Sequence, residues 1–197
     1  MAILDSVTEI LLPDSNGGIT NWSTTSGGGA YPDVATNDTD YITSTTIGAV
    51  FNVGFANLSV ASAQIISVQL NTIMGTNSTT RGHNVTCRYE YELGGKAIAA
   101  AEDYSAENRD IATDRIREGN VITQIGDPTT NWSLSDVNGV SMNVTYSAQS
   151  AAGIDAAVDY ICLKVKYKPT LTTYNSKINN PHIAAGNISI SSGNISI

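Results

Sequence analysis

The chain has 197 residues, enough for one well-cored domain with some length to spare. Only 14% are Asp, Glu, Lys or Arg, and the net charge is −8, which excludes a nucleic-acid partner that would need clustered cations. Aliphatic content excludes a disordered chain, and scarce Lys beside frequent Ser, Thr and Gly points to many short strands and turns instead of helices.

Charge is unevenly placed. Residues 1–80 contain no Lys or Arg, and all 18 acidic residues precede Tyr160. Lys164, Lys166, Lys168 and Lys177 follow it with no acid among them. An acidic body with a basic end can dock end to body, within one chain or between copies. The plainer reading is that these lysines solvate the last strand and its exit.

Residues 3–12 read as a strand. No basic residue precedes them, and Asp5 and Glu9 break the apolar run, so a signal peptide is not expected. No apolar run approaches transmembrane length, so no membrane partner is expected. "PDSNGG" reads as a turn and "TTSGGGAYPDVATNDTD" as a long loop. Asp33, Asn37, Asp38 and Asp40 in that loop have the oxygen density of a calcium site but lack its closing Glu. An Asx-turn-rich loop is the stronger reading, and no metal is expected.

The next segments alternate at period two. Ile47, Ala49, Phe51, Val53 and Phe55 share one face, as do Ile66, Val68 and Leu70. In "NVTCRYEYEL", Val85, Cys87, Tyr89 and Tyr91 face inward. Residues 96–118 have helical propensity but all-β surroundings, so strand–loop–strand is expected. "NWSLSDVNG" reads as a short helical turn capped by Ser133 or Ser135, with Asp136 in its first turn. Met142, Val144 and Tyr146 then form the cleanest apolar face in the chain. In "YICLKVKYK" the apolar face is Ile161, Leu163, Val165 and Tyr167, which puts Cys162 beside Lys164 and Lys166. Cys87 and Cys162 therefore face opposite ways and are expected as free thiols.

Composition changes after Pro169. Residues 170–197 have no acid and end in "GNISI" twice, at 186–190 and 193–197. Ile188, Ile190, Ile195 and Ile197 alternate with Asn and Ser in units too small to fold alone. An extended C-terminal arm that adds a strand to the body or to a neighbouring copy is expected.

Nine Asn-x-Ser/Thr triplets occur, and without a secretion route they read as strand and turn chemistry. The two tryptophans both sit in Asn-Trp-Ser. Trp132, before the helical turn, reads as a core plug. Trp22 and Tyr31 are the candidate ligand or contact aromatics. His83 and His182 are the only imidazoles. No zinc spacing, P-loop, dinucleotide fingerprint or nucleophile motif is present, so neither a cofactor nor catalysis is expected.

Two stretches carry a resemblance: "LLPDSNGGITNWSTTSGGGAYPDVATNDTDYI" and "GDPTTNWSLSDVNGVSMNVTYSAQSAAGIDAAVDYICLKVKY". Together they resemble the jelly-roll β-sandwich proteins of tailed-phage structural gene clusters, over about residues 5–168. The resemblance implies an all-β antiparallel β-sandwich of jelly-roll type at 1–169; the charged segment 100–118 and the expected arm for subunit contacts at 170–197 lie outside it. It implies a non-enzymatic virion protein, foremost a capsid decoration or cement subunit, made in the host cytoplasm. Partners would be its own copies, as a homotrimer, and the major capsid protein or other virion proteins. Contact residues would be Ile188, Ile190, Ile195 and Ile197, guided by Lys164, Lys166 and Lys177. The rival is a glycan- or receptor-binding module on a tail or fibre, which needs exposed aromatics at Trp22, Trp132 or Tyr31.

Overall fold

Period-two alternation over most of the chain produces two antiparallel sheets that close on a shared apolar interior. The structure, a computed structural model, describes residues 5–24, 30–35, 40–76, 82–107, 115–126 and 129–170.

The first sheet is organised by β14 (Ala156–Pro169). On one side it pairs along its length with β6 (Ala63–Thr76), from Ala156↔Thr76 to Pro169↔Ala63. On the other side it pairs in succession with β4 (Ile42–Ser44) and β1 (Val7–Leu11). The short strands β3 (Ser23–Thr24) and β10 (Ile116–Glu118) extend the sheet beyond β4 and β6. The second sheet is organised by β13 (Val140–Gln149), which lies between β5 (Val50–Phe55) and β7 (Asn84–Leu93). Outside β5 runs β2 (Pro13–Thr20), while β8 (Lys96–Ala97) and β9 (Glu102–Glu107) share the far side of β7. A separate pair, β11 (Gln124–Ile125) with β12 (Thr130–Asn131), precedes the short helix α2 (Leu134–Gly139). The expected all-β antiparallel sandwich is the architecture observed.

The inward faces match the alternation. Phe51, Val53 and Phe55 meet Val85, Cys87, Tyr89 and Tyr91, then Met142, Val144 and Tyr146, all buried. Ile161, Leu163, Val165 and Tyr167 supply the opposing sheet. Thr72 Oγ1 of β6 and the Tyr89 hydroxyl of β7 hydrogen-bond across the interior at 3.1 Å, joining the two sheets. α2 is fixed at its start by a capping box. The Asp136 N–H donates to Ser133 Oγ at 3.1 Å, and the Ser133 N–H donates to Asp136 Oδ2 at 2.8 Å. Strands form at both ends of the ambiguous 96–118 stretch.

Four expectations are corrected. "PDSNGG" is part of edge strand β2, not a turn; register shifts at Pro13/Ser15 and Asn16/Ile19 absorb residues that a regular ladder would reject. Gly17 lies so close to Asn52 that an added Cβ would stand 2.7 Å from the Asn52 Cβ. The expected loop before β4 contains a short helix, α1 (Ala30–Val34), with Asp33 fully buried. Ile66 leaves the face of Val68 and Leu70 and is only half-buried, because the β14–β6 register shifts between Lys166↔Ser67 and Tyr167↔Ile65. Ile47 is 51% exposed and off the face of Ala49, because it sits before β5 in a turn whose next residue, Gly48, has φ +86°. Cys162 lies on the lysine side of β14 as a free thiol, as expected, and it is 1% exposed. Burial raises its thiol pKa, and a hydrogen bond with Tyr160 opposes that.

Candidate functional site

Alternation along β14 puts Lys164 and Lys166 on the outer surface of the first sheet. Across β1 they face Ile10 and Thr8, and across β6 they face Gln69 and Ser67. An open groove of about 500 Å³ runs here, walled by Thr8, Ile66, Gln69, Val121, Lys164 and Lys166. Its rim is apolar at Ile10 and Val121, which are 47% and 60% exposed. The segment after β10 is fastened along β6, since Gln69 Nε2 donates to Gly119 O at 2.8 Å and Val68 and Ile122 form a β-bridge. The groove thus offers two ammonium groups, amide and hydroxyl donors and exposed aliphatic surface.

The arm residues Ile188, Ile190, Ile195, Ile197 and Lys177 lie outside the described residues, as does the Tyr31 side chain. Thr170 is still held to the body, its N–H donating to Ser62 O at 3.0 Å, at the end of the lysine-bearing strand.

Trp22, expected as a contact aromatic, is 7% exposed. It packs edge-on against Phe51 at 5.0 Å and lies 6.4 Å from the Tyr146 ring, so it seals one end of the interior. Trp132 is the core plug it was expected to be, 4% exposed and edge-on to Tyr91 at 6.3 Å. Its indole N–H donates to Ile122 O at 3.1 Å, whereas the Trp22 N–H has no partner among the described residues. With both indoles inside, neither supplies an exposed sugar-stacking platform.

A second polar cluster escaped sequence reading. In β9, Glu102, Tyr104 and Ala106 alternate toward the interior. Glu102 Oε2 accepts from the Tyr104 hydroxyl and from the Asn120 N–H, the latter at 2.8 Å, while Oε1 is buried without a hydrogen-bond partner. Gly119 abuts the pair; an added Cβ would stand 2.6 Å from the Tyr104 oxygen and 2.7 Å from Glu102 Oε2. Burial, then the bond to Glu102, raises the Tyr104 phenol well above its ordinary range. Burial, then the Glu102 charge, does the same to Tyr91. Beside the cluster a hollow of about 370 Å³ opens, lined by Ile98, Ala99, Glu102, Val121 and Thr123. The signal for Glu102 was available as "EDYSA", which alternates at period two. Helical propensity in the surrounding alanines masked it.

Among the described residues, no three His, Cys, Asp or Glu side chains converge as a metal site, and no helix is long and apolar enough to cross a membrane. The chain matches no protein-family model and no curated protein.

Proposed function

We propose that this chain is a non-enzymatic structural subunit of a tailed-phage particle, acting as a capsid decoration or cement protein. The observation that carries the reading is the strand order. With β2, β3, β4 and β8 set aside, the two sheets are β1-β14-β6-β10 and β5-β13-β7-β9. We read that order as two interlocked Greek keys, in support of the jelly roll used by viral capsid and lectin domains among others. Fold alone assigns no role, so the surface must. Here a filled interior, buried indoles and an outer face of Lys164, Lys166, Gln69 and exposed Ile10 favour protein contacts over small-ligand chemistry.

In this reading the sandwich bridges neighbouring shell subunits. The arm at 170–197 leaves from the end of β14 and pairs with a free strand edge of the body or of a neighbour. The test is particle assembly with and without the protein. Shells lacking it should lose resistance to heat and osmotic shock, and equal resistance refutes cementing. Deleting residues 171–197 should abolish incorporation; unchanged incorporation refutes the role of the arm.

A further inference from the structure

The outer surfaces of the two sheets carry opposite charge, and we infer that copies of this chain stack through them, the first sheet of one copy against the second sheet of the next. On the first sheet, β14 presents Lys164, Lys166 and Lys168 at alternate positions, and Glu118 of β10 is the acid on the same surface. On the second sheet, β7 presents Glu90 and Glu92 at alternate positions, and β9 adds Asp103 and Glu107. Among the described residues the base on these strands is Arg88, which pairs with Glu90 at 3.3 Å and with Asp103 at 3.8 Å, and Lys96 of β8 is exposed on the opposite alternation of the same sheet.

Spacing matches as well as sign. Lys164 and Lys166 are two residues apart on one strand, as Glu90 and Glu92 are on another, so both rows repeat at roughly 6.8 Å. Around the acids the second surface is hydrogen-bonding. Asn52, Ser141, Asn143 and Thr145 share it, and Asn52 Nδ2 donates to Glu92 Oε2 at 3.2 Å. The Arg88 and Asp103 side chains are 46% and 54% exposed and that of Glu90 is 28% exposed, while Glu92 and Lys164 are half-buried.

Geometry then sets the kind of assembly. A contact between two different surfaces is heterologous, so it leaves one copy with its acidic surface unused and the other with its basic surface unused. Because the two surfaces lie on opposite sides of one sandwich, the contact propagates as a row, whereas a three-membered ring needs contact surfaces inclined to each other. Four strands of about eight residues give roughly 500 Å² per partner, or about 1,000 Å² in all. That is the size of a weak contact, and its charge makes it salt-sensitive. The inference does not depend on the particle-shell reading or on the arm.

The test uses the full chain in sedimentation-velocity runs across a concentration series at 20 and 500 mM salt. The wild type should form concentration-dependent rows that weaken at least tenfold in the higher salt. Lys164→Glu/Lys166→Glu and Glu90→Lys/Glu92→Lys should each associate at least tenfold more weakly alone. Mixed together they should recover to within about threefold of wild type, because each then offers the sign that the other needs. Arg88→Ala should tighten association by unmasking Glu90 and Asp103. Recovery on mixing cannot come from two misfolded variants. A wild type that stays monomeric throughout the series, a closed trimer, association untouched by both reversals, or no recovery on mixing overturns the inference. Association that persists through both reversals but disappears when residues 171–197 are removed assigns contact to the arm instead.

Discussion

The two Asn-Trp-Ser tryptophans should respond differently to the same substitution. Trp22 is 7% exposed and stacks edge-on to Phe51 at 5.0 Å. Trp22→Ala should therefore cost about 4 kcal/mol, within the range for emptying a buried Trp site. At about 2–4 °C per kcal/mol for a chain of this size, Tm should fall by roughly 8–16 °C. Trp22→Phe is the sharper test. It removes about 1–2 kcal/mol of apolar burial, but it also removes a buried N–H that has no partner among the described residues. Relief of that donor returns about 1–3 kcal/mol, so the net change should lie between a gain of about 2 and a cost of about 1 kcal/mol. Trp132→Phe loses the same kind of area and, in addition, the bond to Ile122 O at 3.1 Å, so it should cost about 2 kcal/mol. Ile122 O keeps its bond from the Val68 N–H at 3.0 Å, which limits the loss. Urea unfolding followed by far-UV circular dichroism reads all three without relying on indole fluorescence. A Trp22→Phe cost larger than that of Trp132→Phe, or a Trp22→Ala cost under about 1 kcal/mol, would refute the packing argument.

Gly119→Ala should destabilise by about 2–4 kcal/mol, since its Cβ meets Glu102 and Tyr104 while the backbone N–H is tied to Leu70 O at 2.7 Å. Tyr104→Phe, which removes one of the clashing oxygens, should reduce that penalty in a double-mutant cycle; additive costs would count against it. Ser133→Ala should cost about 1 kcal/mol through loss of the capping box, and a cost below 0.3 kcal/mol by urea titration would argue that α2 needs no cap. Stability should fall as the medium becomes alkaline. Burial pushes the Tyr146 phenol from 10.0 up to about 12 and also raises Tyr89, Tyr91 and Tyr104. Groups raised in the folded state stabilise fully below their unfolded pKa of about 10 and lose that contribution as pH climbs toward the folded value. Urea midpoints measured from pH 8 to 11.5 should therefore drop above pH 10. A flat profile over that range would sink the assignment.

What the sequence determined by itself was everything carried by local period. Val85-Cys87-Tyr89-Tyr91 and Met142-Val144-Tyr146 alternate strictly, so their inward faces were legible without knowing their partners, and Ser133 with Asp136 signalled a helix start because capping acts over three residues. Lys164 and Lys166 were readable as outward for the same reason. Tertiary structure decided what depends on distant pairing. The bulges in β2 and between β14 and β6 are mismatches between strands far apart in sequence, so they turned an apparent turn into an edge strand and moved Ile66 off its face. Burial of Cys162 and Trp22 depends on which elements come to lie against them, and no local spacing encodes that. The Glu102–Tyr104–Gly119 contact joins β9 to the segment after β10. The opposite charge of the two outer surfaces exists only once Lys164 and Glu90, on strands of different sheets, are held on opposite sides of one core.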